Sequence, residues 1–208
     1  MDIRRVTTGD EEPRLRLDVD PCLPRHPSLD DRFDPAVRIV DHDPAWPVRA
    51  AAELRRIAQA LPGIAVRVDH IGSTAVPDLA AKPILDLQLA VNIVEPRDRY
   101  VEPLRRLGYL FVPAPQSPDH HFFAKPPERP RTCHLHVVET GSEHEFRHLA
   151  VRDFLRAHAT EADGYATLKR EVAARHPQDR LAYIDGKNAY IAALEARAVA
   201  WARRRNRP

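Results

Sequence analysis

Cysteine is almost missing from this chain: Cys22 and Cys133 are the only two in 208 residues, and they lie far apart. That scarcity excludes a disulfide-stapled scaffold and a cysteine-rich zinc site. No run of even 15 apolar residues occurs, which excludes a transmembrane helix of ordinary length. The opening stretch, MDIRRVTTGDEEPRLRL, lacks an apolar core, so a secretory signal is not expected and a cytoplasmic location is. Neither charge sign dominates. Lys+Arg 32 against Asp+Glu 30 leaves a formal +2, too balanced for a protein that coats nucleic acid. Glycine is scarce (7) and proline abundant (20), so the connections are stiff. Lysine is scarcer still: Lys82, Lys125, Lys169 and Lys187 are all there are, arginine supplying the other cations. With arginine as the default surface charge, each lysine becomes a candidate for a specific task.

What is present is a normal apolar content, 43%, enough for one large domain or one domain with an appendage. Residues 1–34 are polar and proline-punctuated without an apolar period, and read as a loosely packed tail before a domain over 35–208. A short strand is expected at Val37–Val40. A helix follows from an Asp43 cap and a Pro44 first position to Leu61. Val66–Ile71 alternates apolar and polar as a strand with one wet face does, and Ile84–Val91 is nearly continuous in apolar residues. A helix is expected from Pro96 to Leu107, then strands at Tyr109–Val112, His121–Lys125 and Cys133–Glu139. The last third reads as helices over Glu145–His158, from a Thr160 cap to before His176, and over Asp179–Arg203, with Arg203 to Arg207 as fraying. The last of these carries an apolar stripe of Ile184, Ile191, Leu194, Ala198 and Trp201. The pattern predicts an α+β fold: a mixed sheet with flanking helices and a C-terminal helical bundle over about 145–204.

The chemistry-bearing residues concentrate in Asp69 to Thr74 and around Asp86. Gly72 and Ser73 sit where a strand ends. A glycine there lets the backbone approach a ligand, and Ser73 and Thr74 add donors suited to phosphate. The plain alternative is an ordinary turn. Asp86 interrupts an apolar strand, and an unpaired buried charge costs several kcal/mol, so it must be paired, hydrogen-bonded or metal-bound. His134 and His136, two apart on a strand, share a face that could also carry Asp86 or His70. Two imidazoles and a carboxylate suit zinc, manganese or iron better than magnesium; a hydrogen-bonded set without metal is the alternative. Of His120 and His121, at most one joins such a face. Lys82, just ahead of the Asp86 strand, suits a phosphate or an ion pair with Asp69 or Asp86. Tyr165/Lys169 and Tyr183/Lys187 are i,i+4 pairs, each tyrosine sharing a helix face with its lysine. Arg131, Arg147 and Arg152 are open between anion contacts and surface cover.

The run Asp69-His70-Ile71-Gly72-Ser73-Thr74-Ala75-Val76-Pro77, continued by Lys82-Pro83-Ile84-Leu85-Asp86, resembles the signature of the GrpB family. Asp43-Pro44-Ala45-Trp46, His134-Leu135-His136-Val137-Val138 and Arg152-Asp153-Phe154-Leu155-Arg156 resemble its flanking elements, and the likeness extends over 37–203. That family is similar to the polymerase-β-type nucleotidyltransferases, and related domains occur fused to dephospho-CoA kinase domains. The resemblance implies a nucleotidyltransferase-like fold whose cleft takes a nucleotide or other phosphorylated small molecule. Gly72, Ser73, Thr74, Lys82, Tyr183 and Lys187 would contact the ligand, and Asp86, His134 and His136 would form the catalytic centre, with Asp86 and His136 as metal ligands. It also implies magnesium or manganese as cofactor, zinc ranking behind them. The superfamily holds two magnesium ions on an Asp-x-Asp pair and a third carboxylate. Here Ile84 or Gln88 occupies the partner position of Asp86, so one carboxylate is missing. That departure keeps two alternatives open: a non-catalytic module that senses a ligand or assists a protein partner, and a metal-dependent hydrolase built on His134 and His136. No membrane or nucleic-acid partner is expected.

Overall fold

The computed structural model describes residues 36–113, 120–125 and 130–205. The tail expected over residues 1–34 lies outside the described residues. Among the described residues five strands and five helices follow in the order α1 (Trp46–Ala60), β1 (Ala65–Ile71), β2 (Leu85–Val91), α2 (Asp98–Arg106), β3 (Leu110–Val112), β4 (His120–Lys125), β5 (Cys133–Glu139), α3 (Glu143–Ala157), α4 (Ala159–Arg175) and α5 (Arg180–Arg205). One mixed sheet holds all five strands in the order β1-β2-β5-β4-β3. Only β2 and β5 are parallel to each other; every other neighbour is antiparallel. The fold is therefore the expected α+β arrangement.

The two parallel strands are central, which explains their near-continuous apolar character: both faces are covered. On one face Leu87, Leu89, Leu135, Val137 and Phe123 pack under Trp46, Ala50 and Ile57 of α1 and Tyr100 and Leu104 of α2. The opposite face carries the polar residues of β1, β2, β4 and β5 and lies under α3. A second apolar cluster ties Val76, Leu79 and Ala80 of the β1–β2 connection to α3, α4 and α5 through Phe154, Leu155, Tyr165, Leu194 and Ala198. This cluster holds the helical bundle against the end of the sheet.

Local details differ from the sequence expectations. Val37–Val40 forms no strand; Val40 makes an isolated bridge with Ala81, and the Val37 amide instead donates to the Pro177 carbonyl. Asp43 is not the cap of α1. It accepts from the Ala45 amide at 2.8 Å in the turn before the helix, and Ala45 is the capping residue. Thr160 lies inside α4 rather than capping it. The cap of α3 is Ser142, whose hydroxyl accepts from the Glu145 amide at 3.2 Å while Glu145 accepts from the Gly141 amide at 2.6 Å. The Ser-x-x-Glu run from Ser142 to Glu145 is thus a readable start signal, its return bond made to Gly141 rather than to Ser142, and it moves the helix start two residues ahead of the expected one. At the far end α5 continues to Arg205, and Arg205 lies over the Trp201 ring, so this turn is helical rather than frayed. Of the expected stripe, Leu194 and Ala198 are fully buried and Ile184, Ile191 and Trp201 partly so. Among the described residues no helix is long and apolar enough to cross a membrane.

Candidate functional site

The register brings three strand positions into line. Ile71 at the end of β1 pairs with Asp86 near the start of β2, and Asp86 pairs with His134 near the start of β5. Because β2 and β5 are parallel while β1 runs against them, this is the edge of the sheet where β1 hands over to its Gly72–Ser73 turn. Directly opposed residues share a face. Asp86 and His134 therefore point the same way, and the His134 Nδ1–H donates to Asp86 Oδ1 at 3.2 Å. Gly72 lies hard against the carboxylate, at φ +66° and ψ −168°, a conformation essentially reserved for glycine. Ser73 then opens a single 3-10 turn, Ser73–Ala75.

A cavity of about 140 Å³ lies at this edge, floored by Ser73, Thr74, Ile84, Asp86 and His134 and walled by Lys82 and by residues of α4 and α5. The helices contribute the two repeated pairs, Tyr165 with Lys169 and Tyr183 with Lys187. Three of the chain's four lysines meet here. Lys169, 2% exposed, places its Nζ 3.0 Å from Ser73 Oγ and 4.4 Å from the Tyr165 ring centre. Lys82 and Lys187 both reach the buried Tyr183 ring, at 4.5 and 4.3 Å. Burial, with Lys187 close by, lowers Lys169 to about 7, and burial lowers Lys187 to about 8. Burial alone would raise the Asp86 carboxyl. The His134 hydrogen bond and the imidazole charges around it outweigh that and hold it below its ordinary range. The cavity therefore sets three lysines around one carboxylate.

Lys125, the fourth lysine, is elsewhere: its Nζ pairs with Glu53 at 2.6 Å on the α1 side of the sheet. Lys82 takes the Tyr183 ring rather than Asp69, which pairs with Arg67 at 2.8 Å and Arg152 at 3.4 Å. Arg147 pairs with Glu195 at 3.0 Å, and neither Arg131, Arg147 nor Arg152 lines the cavity. His70 opposes Leu87, so the register assigns it to the other sheet face. Its Nε2 lies 2.9 Å from Thr74 Oγ1.

His136 shares its face with Asp86 and His134 but does not line the cavity. Two residues along a strand is about 6.6 Å, and that step carries it opposite Gln88 instead of Asp86. It belongs to a second group, with His120 from β4 and His144 and His148 from α3. His120 Nε2 is 2.9 Å from His136 Nδ1, with the rings stacked at 5.1 Å. His148 lies 5.0 Å from the His136 ring, and its Nδ1–H donates to Gln88 Oε1 at 2.7 Å. His121 faces the other way, into the apolar layer beside Tyr100. The donor set does not fit a two-magnesium centre. Asp86 is the lone carboxylate, Ile84 and Gln88 flank it, and among the described residues no group of three or more His, Cys, Asp and Glu is placed to hold a metal.

The imidazole group makes the fold acid-sensitive. Burial, with other imidazoles nearby, holds His136 well below 6.5 and His148 at about 4. Each folded pKa is depressed, so the unfolded chain takes up protons first. The stabilisation is full above pH 6.5 and is lost as pH falls toward 4. His148 alone should account for a loss of about 3 kcal/mol across that window. Urea unfolding of wild type and His148→Gln at both ends of the window checks this, since the variant should lose less on acidification.

The pattern of the GrpB protein family matches residues 36–197. The chain belongs to the GrpB family. A UPF0157 protein of Pseudomonas aeruginosa is 41% identical over 172 residues, 80% of this chain and 69% of the relative. The UPF0157 protein YqkA of Bacillus subtilis is 34% identical over 170 residues, 82% of this chain but only 49% of the relative. A dephospho-CoA kinase of Mycolicibacterium paratuberculosis is 33% identical over 193 residues, 80% of this chain and 47% of that protein. The chain thus spans about half the length of those last two relatives. The crystal structure of conserved protein GrpB from Enterococcus faecalis superposes with a TM-score of 0.73 at 34% identity, covering 78% of this chain and 98% of that one.

Lys169 is the main site residue that sequence reasoning left out of the site. The signal was there: the Tyr-x-x-x-Lys spacing occurs twice, and both copies face the cavity. His148 and His144 carried no such signal, because only the packing of α3 on the sheet sets them beside β5.

Proposed function

We propose that this GrpB-family protein is a cytoplasmic binder of a phosphorylated small molecule, a nucleotide foremost. Its phosphates would occupy the cavity between the Gly72–Ser73 turn and the α4–α5 helices. The observation that carries this reading is the convergence of Lys82, Lys169 and Lys187 on one small cavity in a chain that otherwise uses arginine. Lysine meets phosphate as a point charge, and desolvated ammonium groups bind anions far more strongly than exposed ones do. Ser73 and Thr74 add hydroxyls, and Asp86 with His134 forms the polar centre opposite. The occurrence of a similar segment in chains named dephospho-CoA kinase supports a phosphorylated ligand.

Nucleotidyl or phosphoryl transfer is the reaction class the reading favours. Asp86 is the acidic group of the polar centre, and any magnesium or manganese would ride on the ligand's phosphates. The lone carboxylate favours a second reading, a binding module without turnover. Calorimetric titration with ATP, CTP, GTP and UTP, with and without Mg²⁺ or Mn²⁺, is expected to give a dissociation constant tighter than about 1 mM for at least one of them. Absence of binding to all four would sink the proposal. Chromatography of the same mixtures for pyrophosphate or nucleoside diphosphate separates transfer from binding alone.

A further inference from the structure

The cavity holds an arrangement that anion binding does not require. Ser73 Oγ and Lys169 Nζ are 3.0 Å apart, and the lysine is 2% exposed. Among the described residues no carboxylate pairs with this ammonium; its polar partner is the Ser73 hydroxyl. Its ammonium lies over the Tyr165 ring and ends on the serine. The Gly72 backbone bends sharply just before Ser73, so the serine leaves the strand at the cavity edge with its hydroxyl among the lining groups.

We propose that Ser73 is a nucleophile with Lys169 as its general base, and that it accepts a phosphoryl group from a nucleoside triphosphate bound in this cavity. The inference rests on the phosphate-binding reading above. In the step, Ser73 Oγ forms a bond to the terminal phosphorus and the bond from that phosphorus to the bridging oxygen breaks. The hydroxyl proton passes to the neutral Lys169 amine. The products are phosphoserine, the Lys169 ammonium and a nucleoside diphosphate. A buried amine lowered to about 7 is uncharged in a large share of molecules at neutral pH. When it is uncharged the contact reverses: the serine O–H donates and the amine accepts. Once protonated, the ammonium sits beside the new phosphate and is stabilised by it. Lys82 and Lys187, across the Tyr183 ring, supply positive charge, Lys187 below about pH 8, for the oxygens on which charge develops. Tyr165 is pushed up to about 12 by burial, so its phenol stays neutral and does not compete as base.

The test uses the full chain, each of the four nucleoside triphosphates and Mg²⁺. Intact-mass and peptide-mapping spectrometry follow labelling, and equilibrium dialysis measures binding in parallel. The expected result is one added phosphoryl group on Ser73, absent from Ser73→Ala at nucleotide concentrations that dialysis shows to saturate that variant. Lys169→Met should slow labelling by about 100-fold or more. Lys169→Arg should not rescue it, because arginine stays protonated. In wild type at low nucleotide the labelling rate should rise with pH as Lys169 deprotonates near 7 and fall again as Lys187 loses its proton near 8. Nucleotide binding without any label on Ser73 overturns this inference and leaves the binding reading standing. No binding by the wild type overturns both. Labelling whose rate is independent of pH, or retained in Lys169→Met, removes Lys169 as the base and overturns the pairing.

Discussion

Replacing Gly72 with alanine is expected to lower the free energy of unfolding by about 2–5 kcal/mol. Two independent penalties add. The backbone at this position has φ +66° with ψ −168°, a region that a side chain makes costly by about 1–3 kcal/mol. The new methyl would also lie 2.5 Å from Asp86 Oδ2 and 2.8 Å from Asp86 Cβ, where no real Cβ fits. Asp86 is not free to swing away. It sits in the central strand, paired on one side with Ile71 and on the other with His134, and its carboxylate accepts from the His134 ring. Gly63 provides the control. It too has positive φ, +73°, but nothing lies within 4 Å of a Cβ built there, so Gly63→Ala carries backbone strain alone. Urea denaturation of both variants should show Gly72→Ala clearly the less stable. Equal midpoints would mean the turn does not press on the acid, and the tight floor of the cavity would be lost with it.

Loss of the Lys187 charge should weaken nucleotide binding by about 10–100-fold, the equivalent of one charge-assisted hydrogen bond in a desolvated site. Lys187→Met keeps much of the apolar stem that lies on Tyr183 while removing the ammonium. Arg106→Met, an exposed site on α2 far from the cavity lining, should leave affinity within about twofold. The pH dependence has a definite sign. Burial holds Lys187 at about 8 in the free protein, so anion affinity should fall as pH rises through that value. Bound phosphate favours the ammonium, so binding above pH 8 must take up a proton. Calorimetry in two buffers of different ionisation enthalpy reads that uptake directly. Stability of the ligand-free protein should move the other way. The folded pKa lies below the ordinary 10.5, so the unfolded chain holds the proton longer, and stability rises with pH from about 8 toward that value. Lys187→Met should flatten both trends. An unchanged affinity and pH profile in the variant would show that the anion does not meet this lysine.

Much of the architecture could be read one residue at a time. Alternation in Val66–Ile71 and continuity in Ile84–Val91 come within a residue of the observed β1 and β2, because a strand's side chains obey a two-residue period whatever surrounds them. The three later strands follow the same rule. Errors gathered at element ends, where a single hydrogen bond decides. Asp43 spends its carboxylate on the Ala45 amide in a turn, and Val37–Val40 has no neighbouring strand beyond the Ala81 bridge, so propensity there goes unused. The central motif also pointed correctly to Gly72, Ser73 and Asp86 as neighbours, since a strand, a turn and the next antiparallel strand leave few other arrangements.

Two features could be settled only by packing. His134 and His136 look equivalent on paper, as alternate residues of one strand. The parallel β2–β5 register separates them, giving His134 to Asp86 and His136 to Gln88 and the helix above. Likewise the Tyr-x-x-x-Lys spacing marks Lys169 and Lys187 as a pair but does not say that Lys82 joins them. The distribution of the four lysines, three in one cavity and one paired with Glu53 across the sheet, depends on how α4 and α5 fold back over the edge of β1, β2 and β5. Secondary structure and family kinship are carried by short-range period and motif, which one chain displays directly. Which charges meet is set by contacts between segments some eighty to a hundred positions apart, such as Ser73 with Lys169, and only the assembled core brings such segments together.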